Sequence, residues 1–259
     1  MKHVLSCFTS LCAVALMPLS TFAGDLPDLG DLSLESLGEI VTSVSKKPED
    51  SFRSAAAIYV INNQDIKHSG APHIAEVLRG VPGLNVSRVD ASNWAITSRG
   101  FNGVFSNKLL VLVDGRTIYT PAYSGVYWNV QNMPLDDIER IEVIRGPGAS
   151  LWGANAVNGI INIITKSARD TQGVLATTLV GNEDRNVSDV RYGGKVGEDA
   201  YYRAYGHFEK RDSTEDSLGV DAQNDWHNAK TGFRADWKGS ESQQFTLQGD
   251  VYNSEIGIK

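Results

Sequence analysis

This 259-residue sequence contains almost no cysteine and no pattern of metal ligands. Its only two cysteines, Cys7 and Cys12, lie within the first twelve residues. A chain cleaved behind them would have no thiol for a disulfide, a thiolate metal site or a cysteine nucleophile. The five histidines do not fall at the spacing of metal ligands. The sequence therefore predicts no metal site and no cofactor.

The amino terminus lacks an apolar run long enough to span a bilayer as a helix. Residues 4–19 are largely apolar, but polar residues and Pro18 interrupt them, and a span needs about 20 apolar residues. Lys2 and His3 precede this run, and Thr21-Phe22-Ala23 supplies small residues at cleavage positions. This pattern predicts a signal peptide over residues 1–23 and export of the rest of the chain.

Basic residues are also fewer than acidic ones. The sequence has 24 Lys and Arg against 31 Asp and Glu, a formal net charge of -7. Removal of Lys2 with the signal peptide would make the mature chain more acidic still. An acidic protein is not expected to bind nucleic acid.

No catalytic motif is complete in the segment that most suggests one, residues 138–166. Its Gly146-Pro147-Gly148 begins like a dinucleotide-binding loop, but the third glycine comes at Gly153, two positions late. A nucleophile elbow would need glycine where Trp152 stands, and no P-loop ending is present. The segment instead predicts two β-strands joined by a glycine-rich connection, and the protein is not expected to be an enzyme.

From about residue 172 onwards the sequence alternates with period two. Phe233, Ala235 and Trp237 fall on one face of a strand, and Arg234 and Asp236 on the other. About five such stretches follow one another, with aromatic residues near their ends (Tyr201, Trp226, Tyr252). The pattern is typical of transmembrane β-barrel strands with interfacial aromatics, although a water-soluble antiparallel sheet would alternate similarly.

Eight landmarks in order make residues 32–166 resemble the plug domain of TonB-dependent outer-membrane receptors. They include Ala57–Ile61, Ser98-Arg99-Gly100-Phe101, Leu110–Arg116, Ile138–Pro147 and Asn158–Thr165. The resemblance implies an α+β plug domain with a small mixed four-stranded sheet, followed by antiparallel strands of an incomplete transmembrane β-barrel. It implies a linker with a TonB box at 24–48, the plug at 49–168 and the first barrel strands at 169–259.

The residues support local elements inside this plug. Asn63 is expected to cap a short helix, and Ile74, Val77 and Leu78 repeat at helical spacing. The uninterrupted apolar run Leu109–Val113 predicts a strand buried on both faces, with Asp114-Gly115 as its turn.

The number of barrel strands falls short of the family's architecture. Single-chain barrels have at least eight strands, and the resemblance implies about 22. We therefore expect the sequence to be a fragment or the product of a truncated gene.

The resemblance also implies functional positions. A segment that pairs with TonB, by adding a strand to it, is expected at Glu39, Ile40, Val41, Thr42 and Ser43. A disordered linker with a chance apolar patch is the alternative. Arg99 and Arg145 are expected to lock the plug to acidic residues of the barrel wall, or else to lie solvated at its surface.

Ligand is expected at loops on the extracellular side of the plug. Aromatic and polar residues there suit a flat, rigid ligand, although any one of them could pack into the core instead. The candidates are Arg88, Asn93, Trp94, Phe105, Tyr119, Tyr123, Tyr127 and Trp128.

The predicted function is TonB-energised uptake of a ferric siderophore or a similarly scarce nutrient at the outer membrane, with TonB as the partner. The alternative is a free-standing periplasmic binding or interaction module, or a non-functional truncated product.

Overall fold

The computed structural model describes residues 40–41, 49–50, 57–146, 152–153, 155–240 and 243–257. The predicted signal peptide lies outside these residues. The elements in chain order are β1 (Ile40–Val41), β2 (Glu49–Asp50), β3 (Ala57–Asn62), α1 (Asn63–Ser69), α2 (Ile74–Val77), β4 (Leu84–Arg88), β5 (Trp94–Ser98), β6 (Leu109–Val113), β7 (Arg116–Thr117), β8 (Ile138–Arg145), β9 (Gly159–Thr165), β10 (Gly173–Leu179), β11 (Asp184–Val196), β12 (Ala200–Arg211), β13 (Trp226–Ser240) and β14 (Gln243–Ile256). Short 3₁₀ helices at Leu78–Gly80, Trp128–Val130, Leu135–Asp137 and Ala168–Thr171 connect some of them.

The described residues between 57 and 168, here called the plug, are centred on a mixed sheet in the order β3-β8-β9-β6-β7. Strands β6 and β9 run parallel and the other neighbours antiparallel. Four strands have five to eight residues, and β7 adds a two-residue fifth. All five residues of β6 are buried, as its uninterrupted apolar sequence predicts. The mixed sheet of the expected fold class is confirmed.

The N-cap of the first helix lies one residue before the predicted one, so the helix begins at Asn63. Asn62, not Asn63, is the N-cap: its side chain accepts a hydrogen bond from the Asp65 backbone N–H at 2.9 Å, and the Asp65 carboxylate accepts one from the Asn62 N–H. This reciprocal pair is a capping box. Asn63 instead donates to the Ile138 carbonyl at 2.6 Å, so it joins the helix to the sheet.

The β6–β7 turn of the plug depends on backbone conformations that glycine favours. Asp114 and Gly115 have φ of 48° and 77° and form the two-residue connection of the β6–β7 hairpin, as predicted. The Asp114 carboxylate also accepts hydrogen bonds from the Thr165 N–H and hydroxyl at 2.8 and 2.9 Å. It thereby joins the end of β6 to the end of β9.

Strands β10 to β14 form a second, antiparallel sheet in sequence order, here called the wall. Its polar face is turned towards the plug: Arg203 and Asp236 are each 4% exposed. The apolar face points away, with Phe233 45% and Trp237 39% exposed. The alternation predicted for this region is therefore confirmed, with the two faces placed as in a barrel around a plug.

The predicted interfacial role of the strand-end aromatics is wrong in its choice of residues. Tyr201 is paired with Asp236 and Tyr252 with Lys230, and directly paired residues share a face, so both lie on the plug-facing side. Trp226 is 1% exposed and belongs to the plug core. The outward aromatics near the short turns are Tyr192, Tyr202, Trp237 and Phe245, which contact each other in pairs.

Among the described residues, no helix has both the length and the apolar character that crossing a membrane would require.

Candidate functional site

One part of the contact between plug and wall, here called the lower part, consists of ion pairs around two plug carboxylates. Asp137 pairs with Arg191 and lies 3.7 Å from the Arg203 Nε. Asp114 lies 3.6 Å from Arg234. Arg203 also donates to the Lys166 carbonyl at 2.6 Å. The carboxylates of the plug thus sit in a socket of wall arginines.

A second part of the same contact, here called the upper part, is made mainly by hydrogen bonds. Asn132 donates to the Glu209 carboxylate at 3.0 Å, and Lys230 donates to the Val130 carbonyl at 3.3 Å. At the β4–β5 turn, Arg88 pairs with Glu183 at 2.5 Å. The bonds of Asn132 and Lys230 satisfy polar groups that the contact removes from water, whereas the Glu183 side chain is 70% exposed.

An aromatic stack joins plug and wall beside that turn. The rings of Trp94 and His73 stack at 4.2 Å, and Trp226 of the wall meets Trp94 edge-on at 6.0 Å. The Arg211 guanidinium lies 5.1 Å from the Trp94 ring centre, within the range of a cation–π contact. Trp94 therefore belongs to the core, and it offers only 1% of its surface to a ligand.

Burial sets the protonation of two groups in this stack. Burial lowers the pKa of His73 to about 4, so the ring is neutral and its Nδ1 accepts the Ala75 N–H at 3.0 Å. Burial also opposes ionisation of Glu76, but hydrogen bonds from Trp94 and Arg79 outweigh it and lower the pKa of that carboxyl. The stack is therefore held by a neutral imidazole and an ionised glutamate.

The two arginines predicted to lock the plug to the barrel contact the plug itself. Arg145 is half-buried and donates to the Pro82 carbonyl at 3.2 Å. Arg99 is exposed, and its guanidinium lies over Gly146, 3.6 Å from the position of a Cβ there. Among the described residues neither forms an ion pair. The predicted partners on the barrel wall remain a prediction.

Three of the predicted ligand residues come together as an aromatic patch. The Phe105 and Tyr123 rings meet edge-on at 5.1 Å, and Tyr123 and Tyr127 at 5.2 Å. Phe105 is 71% and Tyr127 43% exposed. Burial raises the pKa of Tyr123 to about 12, so the phenol stays neutral.

The other predicted ligand residues lie apart from this patch. Tyr119 donates to the Leu109 carbonyl at 2.6 Å, and burial raises the pKa of its phenol to about 12. Trp128 is 6% exposed. Asn93 donates to Asp90 within the β4–β5 turn, where Arg88 also lies.

A cavity of about 320 Å³ opens beside the patch. Phe101 and Phe105 flank it, together with Val104 and Leu109, and Thr97 and Asn158 add polar edges. Ser98, Ser106, Asn107 and Lys108 line it as well, so the cleft combines apolar side chains with several polar groups, as ligand sites do. Phe101, which is 84% exposed, was not among the predicted ligand residues, although it follows Arg99-Gly100 directly.

The predicted TonB box is described only in part. Ile40 and Val41 form β1, which pairs antiparallel with Asp50 and Glu49 of β2. Glu39, Thr42 and Ser43 lie outside the described residues.

Within the parts of the chain that the structure describes, no three His, Cys, Asp or Glu side chains converge in a way that could hold a metal ion.

Sequence reasoning missed the arginine socket. Arg191, Arg203 and Arg234 each occupy a plug-facing position of an alternating strand, and Asp114 and Asp137 each adjoin the end of a plug strand. The alternation of each strand places these arginines on its polar face, and this pattern could have indicated them. Their partners could not be found in this way, because residues 50 to 120 positions apart in sequence share no local pattern.

Comparisons with known proteins agree with this architecture. Residues 50–160 match the family model described as the TonB-dependent receptor plug domain. The chain is 28% identical over 254 residues to the vitamin B12 transporter of Vibrio vulnificus, covering 95% of this chain and 40% of that protein. It is 30% identical over 201 residues to the ferric enterobactin receptor of Pseudomonas aeruginosa, covering 71% of this chain and 27% of that protein. The chain thus spans two fifths or less of the length of these relatives.

Solved structures share the fold. The crystal structure of a ferric enterobactin receptor mutant from Pseudomonas aeruginosa matches with a TM-score of 0.61 at 23% identity, over 78% of this chain and 33% of that one. A copper transporter matches with a TM-score of 0.61 at 22% identity, over 77% of this chain and 31% of that one.

Proposed function

Because this chain belongs to the TonB-dependent receptors through its plug domain and the strands that follow it, we propose that it acts in energised uptake of a scarce nutrient across the outer membrane. The observation that carries the proposal is the seating of the plug. Its carboxylates Asp114 and Asp137 engage arginines on the polar face of a sheet whose other face is apolar. Such a sheet suits a membrane wall that surrounds a polar lumen and its plug.

The connections of the wall support an orientation. Residues 197–199 form a short connection at one end of the wall. At the other end, 180–183 form a connection of four residues and 212–225 form a long loop. Transmembrane barrels have short periplasmic turns and longer extracellular loops. The β4–β5 turn with Arg88 and the stacked Trp94 contact the long-loop end through Glu183 and Trp226. This turn would therefore lie on the extracellular side of the plug.

The substrate is proposed to be a ferric siderophore or a corrinoid. The relatives named above are a vitamin B12 transporter and a ferric enterobactin receptor. The exposed aromatic patch of Phe105, Tyr123 and Tyr127 and the adjacent cavity suit a ligand with flat, rigid rings. No catalytic role is proposed for any of these residues.

Energy is proposed to reach the plug through TonB at residues 39–43. A short strand such as β1, which here pairs with the two residues of β2, could instead pair with a strand of a partner protein by backbone hydrogen bonding. Proline at Val41 removes one backbone donor, so Val41→Pro should abolish TonB-dependent uptake while ligand binding at the cell surface persists. Val41→Ala keeps the donor and is the matched control. Unimpaired uptake in the proline variant would move the TonB box elsewhere in the chain.

Uptake itself tests the proposed function. The gene that encodes this chain is expressed in cells without their own receptors, with TonB present or deleted, and the cells receive radiolabelled cyanocobalamin or ferric enterobactin. We expect accumulation of one compound that requires TonB. Accumulation of neither would reject the substrate class, and accumulation of equal size without TonB would reject the energised mechanism.

Fractionation separates this proposal from a free-standing periplasmic module. A wall with Phe233, Trp237 and Leu247 exposed on its outer face should require detergent for extraction from outer membranes. Release of the protein in the soluble periplasmic fraction would favour the periplasmic module.

A further inference from the structure

The two loops that form the aromatic patch are held together by close contacts. The Ser106 hydroxyl donates to the Phe101 carbonyl at 3.1 Å, which closes the loop between β5 and β6. This loop meets the second one at Gly125, where a Cβ would lie 2.8 Å from the Ser106 carbonyl oxygen. Only glycine permits so close an approach. The patch and the cavity beside it are therefore formed by loops with a fixed arrangement.

Lys108 is the only charged residue among the described residues that line this cavity. It stands directly before β6, and its carbonyl accepts a hydrogen bond from the Asn158 N–H at 2.9 Å, so its backbone is fixed at the rim. Its side chain is exposed and forms no ion pair with the residues that the structure describes. The cavity is thus lined by an unpaired ammonium group beside apolar and aromatic side chains.

The sequence around the cavity is basic, although the protein as a whole is acidic. Residues 91–135 contain a single carboxylate, Asp114, against three cations, Arg99, Lys108 and Arg116. Asp114 lies beyond the end of β6 that is farther from Lys108. The whole chain, by contrast, has a net charge of -7. An anionic ligand is therefore attracted to this part of the plug rather than repelled by it.

The size and the lining of the cavity indicate the kind of anion. Its volume of about 320 Å³ is at the lower end of the range of ligand pockets, about 300–1,000 Å³, so it suits a single aromatic ring better than a macrocycle. Phe101 and Phe105 are 84% and 71% exposed and can pack edge-on or offset against a further ring. An aromatic ring with ionised oxygens suits this lining, because the ring packs on the phenylalanines while its oxygens pair with Lys108.

We propose that the cavity takes a catecholate ring of a ferric siderophore and that Lys108 is the specificity-determining residue for it. The inference rests on the proposed function and narrows its two substrate classes to one. A corrinoid without net charge gains nothing from the ammonium group, and its macrocycle is larger than the cavity. A neutral ferric hydroxamate has neither the aromatic ring nor the charge that the lining selects.

Binding to the full chain in detergent micelles, measured by equilibrium dialysis, tests the role of Lys108. The probe is ferric enterobactin, a catecholate complex with a net negative charge. Lys108→Gln removes the ammonium group and should weaken binding about three- to tenfold, whereas Lys108→Arg keeps the charge and should restore it. Added salt should weaken binding to the native chain more than binding to the Gln variant.

A lysine elsewhere is the matched control for net charge. Lys238→Gln removes an exposed lysine from the wall and should leave the affinity for ferric enterobactin unchanged. Equal affinities in the Gln variants of Lys108 and Lys238 would overturn the role of Lys108. The same conclusion would follow if Lys108→Arg bound as weakly as Lys108→Gln.

The apolar part of the site has its own matched pair. Phe101 and Leu218 are each 84% exposed, so alanine at either position removes little buried surface from the fold. Phe101→Ala should weaken binding of ferric enterobactin about threefold or more, because the ligand ring loses an apolar contact. Leu218→Ala, in the β12–β13 loop, should bind as the native chain does. Equal affinities in these two variants would place the ligand elsewhere and overturn the site.

Competing compounds separate this inference from the proposed function. Cyanocobalamin and ferrichrome, a neutral ferric hydroxamate, are titrated onto the same chain. Tightest binding of ferric enterobactin supports the catecholate assignment. Tighter binding of either other compound would overturn that assignment, while TonB-dependent uptake of the tighter ligand would leave energised transport intact. Absence of binding of all three would also overturn the assignment, and the uptake experiment would then decide the proposed function separately.

Discussion

The two sheets of this protein bury opposite kinds of side chain. In the plug, β6 and β9 bury Val111 and Ile161 on a sheet covered on both faces. In the wall, β12 and β13 bury Arg203 and Asp236 and leave Phe233 exposed. A β-sheet therefore supports either pattern, and an outward apolar face such as that of the wall is the one that lipid would favour under the proposed function.

Where the two sheets meet, the polar face of the wall is buried against the plug. A polar wall face can be buried only if charges find partners, and the plug supplies carboxylates at the ends of its strands. The lower part of the contact is thus ionic, although the core of the plug and the outer face of the wall are both apolar. Each of the following predictions separates the plug's contribution from that of the wall.

Loss of the socket carboxylate should have the largest effect. Asp137→Ala leaves Arg191 and Arg203 buried without this partner, and breaking a buried pair costs about 3–5 kcal/mol. Denaturant unfolding of the chain in micelles measures the loss. Asp136→Ala removes a more exposed pair with Lys67 and should cost below about 1 kcal/mol. Equal losses in the two variants would show that the socket does not hold the plug.

Truncation of apolar side chains should distinguish the two sheets directly. Ile161 is fully buried, and Ile161→Ala should cost about 2–5 kcal/mol in unfolding free energy because it leaves a cavity. Leu247 is 56% exposed on the outer face of the wall, so Leu247→Ala should cost clearly less. A similar loss at both positions in detergent unfolding would contradict the assignment of an outward, lipid-facing side.

Acid should weaken the stack at the plug–wall contact. The pKa of His73 is lowered from 6.5 to about 4, so between these values the unfolded chain binds a proton that the native chain does not. Stability contributed by the neutral ring is therefore complete above pH 6.5 and is lost as pH falls towards 4, by about 3 kcal/mol. His73→Gln should flatten this part of the pH profile of unfolding, whereas His68→Gln, at an exposed position, should leave it as it is.

The helix cap should give the smallest effect. Asn62→Ala removes the side-chain acceptor of the capping box and should cost about 1 kcal/mol. Gln64→Ala, at an exposed position of the same helix, is the control and should change stability little. A larger loss at Gln64 would mean that the helix is not held by this cap.

Much of the fold was predictable because it depends on local patterns. The apolar run of β6, the Asp114-Gly115 turn and the alternation of β12 to β14 each follow from neighbouring residues. The site was less predictable. The grouping of Phe105, Tyr123 and Tyr127 depends on two loops that meet in space, and the burial of Trp94 and Trp128 depends on what packs over them. Aromatic residues in loop-like segments do not indicate by themselves which of them are exposed.

The sequence by itself determined the order of strands and turns, the alternation of the wall and the family resemblance, because each is carried by residues near one another in the chain. Only the tertiary structure decided which charges meet. It set Asp137 against Arg191, turned Trp226 inward and placed the Arg99 guanidinium beside Gly146. The physical reason is that a charge or an aromatic ring takes its role from the groups packed against it, and those come from distant parts of the chain.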